Sequence, residues 1–117
     1  MSRTVLIVDD HDGFRAGARA LLEADGFEVL GEAADGAAGL EAVRRLRPEV
    51  VLLDVQLPGI DGFEVAERLA AEVDPPAVVL ISSGESDSYR RQLATSPVRG
   101  FIAKRELSGE CLAGLVS

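Results

Sequence analysis

The chain is organised by four short runs of apolar residues, each ending on a polar side chain. Val5-Leu6-Ile7-Val8 runs into Asp9-Asp10, Val50-Val51-Leu52-Leu53 into Asp54, Val78-Val79-Leu80-Ile81 into Ser82-Ser83, and Gly100-Phe101-Ile102-Ala103 into Lys104. Runs of this length without polar alternation predict strands buried on both faces, the mark of a parallel sheet. The segment 27–32 is mixed in polarity and reads as an edge strand.

Helical spacing fills the intervals. Residues 13–24 place Phe14, Ala18, Leu21 and Leu22 on one face, and Asp25-Gly26 ends the helix, glycine suiting the left-handed position past a C-terminus. Asp35 is a candidate N-cap for a helix over 36–46, which stops before Pro48. Beyond Asp54 lies a loop, Val55-Gln56-Leu57-Pro58-Gly59-Ile60-Asp61-Gly62. Asp61 and Glu64 have the spacing of a capping box for a helix expected to bury Phe63, Ala66, Ala70 and Val73, and Asp74-Pro75-Pro76 breaks it. A fourth helix, over 86–95, offers only Tyr89 and Leu93 as sizeable apolar residues and is therefore expected to be locally labile. A last helix is expected from about Glu106, with Cys111 as a small core residue between Leu107 and Leu115.

Five alternations of strand and helix imply right-handed crossovers and helices on both faces of one sheet. The expected fold is a doubly wound five-stranded parallel sheet in a single domain over 1–117. All strand C-termini then lie along one edge, where open α/β sheets hold their ligands. Three carboxylates, a hydroxyl and an ammonium meet there.

That combination has a specific chemistry. Like charges about 4 Å apart cost roughly 4 kcal/mol at an effective dielectric near 20, so Asp9, Asp10 and Asp54 call for a cation. Oxygen donors suit hard Mg²⁺, which keeps positions open for a phosphate. Asp54 ends the most hydrophobic strand and is the natural nucleophile, forming an aspartyl phosphate. Lys104 can reach phosphoryl oxygens, and Ser82 can donate to another.

Composition narrows the options. A net charge of −8 argues against nucleic-acid binding by this segment, and the pairs Arg44-Arg45 and Arg90-Arg91 read as solvated helix faces. The single cysteine excludes an internal disulfide and fits a reducing cytosol, and no apolar stretch approaches a membrane span. A cytoplasmic location is expected.

Asp9-Asp10, Asp54, the Pro58…Asp61-Gly62 loop, Ser82 and Lys104 together resemble the receiver domain of two-component response regulators, over essentially the whole chain. Val8-Asp9-Asp10-His11-x-x-Phe14-Arg15-x-Gly17-x-Arg19 resembles more narrowly the receivers of LuxR-type regulators. The resemblance implies a flavodoxin-like strand order, 2-1-3-4-5. It implies direct Mg²⁺ ligation by Asp10 and Asp54, Asp9 helping through water, and the Gln56 main-chain carbonyl completing the set. Phosphate would come from the phosphohistidine of a sensor kinase or from a small donor such as acetyl phosphate. The domain would catalyse only its own phosphorylation and dephosphorylation. Ser82 would then move toward the phosphoryl group and Phe101 rotate inward, repacking the face of the fourth helix, fifth strand and fifth helix. Phe101 lacks the hydroxyl that would hold it outward, and Gln56 and Gly84, which would flank the phosphoryl group, are not acidic. His11 reads as a solvated loop imidazole.

Other classes fit less well. Haloacid-dehalogenase phosphatases also use a strand-end Asp with Mg²⁺, but they place a second Asp where Gln56 stands. No Gly-x-x-x-x-Gly-Lys occurs, and two carboxylates after the first strand would repel a flavin phosphate. An interaction module working without phosphorylation is the third class. The output is expected to be protein contact by a single-domain receiver, or else a DNA-binding domain beyond Ser117. Homodimerisation through the output face is a family expectation.

Overall fold

The computed structural model describes residues 3–84 and 89–116. Strands β1 (Thr4–Val8), β2 (Glu28–Ala33), β3 (Val50–Asp54), β4 (Ala77–Ser82) and β5 (Gly100–Ala103) form one parallel sheet in the order 2-1-3-4-5. The apolar residues of β1 and β3 are almost completely removed from water, as their unbroken runs require. The mixed-polarity segment is β2, at one edge.

Helices α1 (Asp12–Ala24) and α5 (Gly109–Val116) cover one face of the sheet, over Val5, Ile7, Leu52 and Ile81. Helices α2 (Gly36–Leu46), α3 (Gly62–Ala70) and α4 (Arg90–Thr95) cover the other, over Leu6, Val8, Leu53 and Leu80. Local chemistry sets the boundaries. Gly26, at φ 96°, carries the chain out of α1, and Asp35 caps α2 by accepting the Ala38 N–H at 2.8 Å. Asp61 caps α3 through the Glu64 N–H at 3.0 Å, but the Glu64 carboxylate pairs with Arg68.

Two helices sit rotated from the expected positions, and a glycine is responsible each time. The buried face of α3 is Gly62, Val65, Ala66 and Leu69; Phe63 is half-buried, Ala70 exposed, and Val73, past the helix end, is 80% exposed. A Cβ on Gly62 would lie 2.3 Å from the Asp54 carbonyl oxygen, so only glycine lets α3 start there. Likewise α5 begins at Gly109, not near Glu106, after a 3₁₀ turn over Lys104–Glu106. The Gly109 N–H donates to Asp25 Oδ2 at 2.8 Å, and a Cβ would strike the Asp25 side chain. With Gly109, Leu112 and Val116 turned inward, Cys111 falls roughly 200° around the helix from Gly109 and is exposed rather than core.

Helix α4 has no buried residue; the adjoining Tyr89 and its own Leu93 are only partly covered. The expected helix start at Ser86 lies outside the described residues. Amides of Arg90–Thr95 should exchange with deuterium at least about 100-fold faster than those of Thr4–Val8, because so little apolar area holds them. Hydrogen-exchange mass spectrometry checks this, and equal protection would refute it.

Candidate functional site

Strand register brings the polar strand ends together. Val8 pairs with Leu53, Asp54 with Ile81, and Ser82 with Ala103, so Asp9, Asp54, Ser82 and Lys104 stand side by side along the carboxyl edge. Two bonds extend the ladder past the strand ends: Asp9 N–H to the Ala33 carbonyl at 3.0 Å and Val55 N–H to the Ile81 carbonyl at 2.9 Å. They fix the backbone from which the carboxylates project.

Asp9, Asp54 and Ser82 are the buried polar residues among those described, at 0, 3 and 1% exposure. Lys104 neutralises part of this charge, with Nζ 2.6 Å from Asp9 Oδ2 and 3.4 Å from Asp54 Oδ2. The approach to Asp9 Oδ2 lacks hydrogen-bonding geometry, which leaves that buried oxygen without a directed donor. Asp54 Oδ1 accepts the Gln56 N–H at 3.2 Å. It is thus the Gln56 N–H that the hydrogen bonds place on Asp54. Asp10 is 39% exposed and stands at the mouth. Ser82 Oγ accepts the Gly84 N–H at 3.0 Å, a bond that does not use the hydroxyl proton.

Phe101 stands apart. It is half-buried on the sheet face covered by α4, with its ring 6.5 Å from that of Tyr89, and Tyr89 in turn lies 5.9 Å from Phe63.

Three further participants stand in the stretch that resembles LuxR-type receivers, but the residue pattern alone assigns none of them a role in the site. His11 Nδ1 lies 3.2 Å from both Asp9 Oδ1 and Asp10 Oδ1, and the His11 backbone N–H donates to Asp9 Oδ1 at 2.8 Å. The imidazole is 70% exposed, as a loop histidine should be, yet it is engaged with the acids. Arg15 donates from Nη1 to the Asp9 carbonyl at 2.5 Å while pairing with Asp12 and Glu32, so it ties the acid pair to α1 and β2. The Phe14 ring lies under the Lys104 ammonium, 4.6 Å from centroid to Nζ. All three belong to the segment after the acid pair, where helical periodicity is the dominant signal.

Burial pushes the Asp54 carboxyl above its ordinary value, and the Asp9 charge adds to this; the Gln56 N–H and Lys104 oppose it. One ligand atom from each of Asp9, Asp10, His11 and Asp54 fits within a 4.8 Å cluster. An acidic pocket with these donors, one of its buried oxygens lacking a hydrogen bond, is fit to bind a metal ion.

A doubly wound sheet of this order, with an acid cluster and a lysine at its carboxyl edge, defines a receiver domain. The chain belongs to the response regulator receiver domain family, whose model matches residues 5–114. It is 40% identical over 107 residues to BvgA of Bordetella pertussis, named as a transcription regulator of virulence factors, covering 91% of this chain and 51% of that one. It is 39% identical over 101 residues to the response regulator GacA of Pseudomonas viridiflava, covering 86% of this chain and 47% of that protein. The signal receiver domain of the response regulator NarL from Mycobacterium tuberculosis superposes with a TM-score of 0.85 at 35% identity, over 97% of this chain and 96% of that one. The chain spans about half the length of the curated relatives it matches. Among the described residues, no helix is long and apolar enough to cross a membrane.

Two consequences are measurable. Asp54 binds its proton more tightly folded than unfolded, so its contribution to stability is lost as pH rises from about 4 through its folded-state value. In chelator near neutral pH, Asp54→Asn should therefore melt above the parent, and the gap should close toward about pH 4; a variant of equal or lower melting temperature at neutral pH would contradict this. Gly62→Ala should cost about 1–3 kcal/mol in urea denaturation, from the backbone collision with Asp54.

Proposed function

We propose that this receiver accepts a phosphoryl group on Asp54 and so serves as the switch of a two-component signalling system. The observation that carries the reading is the placement of the nearly buried Asp54 carboxylate within reach of both the acid pair and the Lys104 ammonium. In this reading Asp10 and Asp54 hold Mg²⁺ directly, with Asp9 and the Gln56 main-chain carbonyl assisting. The ion supplies positive charge that offsets repulsion between carboxylate and phosphoryl oxygens.

The chain's own residues do the rest. An Asp54 oxygen attacks phosphorus, the new P–O bond forms as the P–N bond of a phosphohistidine breaks, and the histidine leaves with a proton. Lys104 Nζ, already 3.4 Å from Asp54 Oδ2, takes up charge on the phosphoryl oxygens, and the unused Ser82 proton serves a further oxygen. Water attack on the acyl phosphate reverses the switch. Gln56 and Gly84, the residues proposed to flank the phosphoryl group, are not acidic.

The response would run through the face of α4, β5 and α5, with Ser82 moving inward and Phe101 rotating after it. The thinly anchored α4 supports this reading. The proposed location of this domain is the cytoplasm, and the proposed partners are a sensor histidine kinase and an effector, either a separate protein or an output domain as in the transcription regulators this chain resembles. The described segment itself is acidic and is not proposed to touch nucleic acid. Homodimerisation through the same face would accompany phosphorylation.

Incubation with acetyl phosphate and Mg²⁺ and then intact-mass spectrometry tests the reading. The parent should gain one phosphoryl group only when Mg²⁺ is present, Asp54→Ala should gain none, and Lys104→Ala should react roughly 100-fold more slowly. An adduct that survives Asp54→Ala would overturn the assignment. Failure of the parent with both acetyl phosphate and a sensor kinase would make the domain a phosphorylation-independent module.

A further inference from the structure

The sole imidazole of the chain stands at the acid pocket, where oxygen donors alone would suffice for Mg²⁺. We propose that His11 is a metal ligand through Nδ1, making the pocket a mixed nitrogen–oxygen site that binds first-row transition ions such as Zn²⁺ or Co²⁺ by a bond Mg²⁺ does not use. This rests on the reading of the pocket as a cation site.

Geometry is the first support. Ligands of one octahedral ion at about 2.1 Å lie roughly 3.0 Å apart when adjacent and 4.2 Å when opposite. His11 Nδ1 is 3.2 Å from Asp9 Oδ1 and 3.2 Å from Asp10 Oδ1, and a ligand atom of Asp54 joins them within 4.8 Å. His11 Nδ1 and the Asp9 and Asp10 oxygens therefore already have the spacing of neighbouring ligands, and a small side-chain shift brings Asp54 into the same sphere.

The backbone explains why the ring faces inward. His11 is the N-cap of α1 in an extended conformation, φ −96° and ψ 110°, and its side chain makes no cap bond to the helix. Instead its N–H is fixed on Asp9 Oδ1, which turns Nδ1 onto the carboxylates. Arg15, bound to the Asp9 carbonyl, holds that turn from the other side. A second feature is the charge imbalance: fully buried Asp9 Oδ2 receives no directed hydrogen bond, and its charge partner, the Lys104 ammonium at 2.6 Å, is shared with Asp54.

Donor type decides the selectivity. Carboxylates serve Mg²⁺ and transition ions alike, whereas imidazole favours Zn²⁺, Co²⁺ and Ni²⁺. Removing the ring should thus weaken one class of ion and spare the other.

The test uses the full chain carrying Cys111→Ser, which removes the one exposed thiol as a competing soft donor. Because there is one histidine, its side-chain ¹⁵N resonances are unambiguous. Saturating Zn²⁺ should shift Nδ1 to a metal-bound position, while saturating Mg²⁺ should leave it near its ion-free value. By calorimetry, His11→Gln should lower Zn²⁺ affinity by about 10-fold or more and change Mg²⁺ affinity by no more than about twofold. Bound Zn²⁺ with an unshifted Nδ1, or equal changes for both ions, would overturn the proposal while leaving the acid pocket standing. If neither ion binds the parent, or Asp54→Asn binds both as well as the parent does, the cation-site reading itself fails and takes this one with it.

Discussion

Two carboxylates buried side by side at the ends of β1 and β3, against one lysine, are the constraint around which this domain is built. Asp9 and Asp54 have almost no contact with water, and Lys104 reaches both. One ammonium cannot balance two buried anions with Asp10 a few ångströms further out. Interaction energies of several kcal/mol at such separations make the imbalance a demand for more positive charge. Burial, and after it the Asp9 charge, raises the Asp54 carboxyl, and the imbalance creates a place for a divalent cation.

The sheet makes this imbalance sustainable. Parallel register places the four strand ends in one row, and the buried aliphatic strands behind them leave no route by which the charges could spread apart. Arg15 and Gly62 hold the two acid-bearing turns from outside, one by a hydrogen bond to the Asp9 carbonyl and the other by fitting against that of Asp54. The opposite character appears at α4, which buries nothing and whose neighbour Tyr89 meets Phe101 across a loose aromatic contact. A charged centre held by ion pairs and backbone hydrogen bonds thus adjoins a thinly packed face.

Much of this was legible in the residues. Continuous apolar runs marked the strands and their burial, and the polar residues closing those runs marked Asp9, Asp10, Asp54, Ser82 and Lys104 as members of one edge. The parts that escaped share a physical cause. Hydrophobic periodicity weighs bulky side chains, so it overlooks Gly62 and Gly109, whose lack of a side chain sets the rotation of α3 and α5. Cys111 is exposed rather than core as a result, and Val73 is exposed because α3 ends before it. His11 and Phe14 escaped for another reason: their roles arise where a loop turn and a helix face meet the acid pair and the end of β5, a contact no local pattern encodes.

The central claim is that Lys104 and a divalent cation share the task of neutralising the same buried carboxylates. Urea denaturation of Lys104→Met with chelator and again with saturating Mg²⁺ tests it most directly. Leaving buried anions unpaired should cost about 2–4 kcal/mol in chelator, and Mg²⁺ should restore at least half of that loss. An equal loss under both conditions would show that lysine and cation act on different groups, and the account would fail.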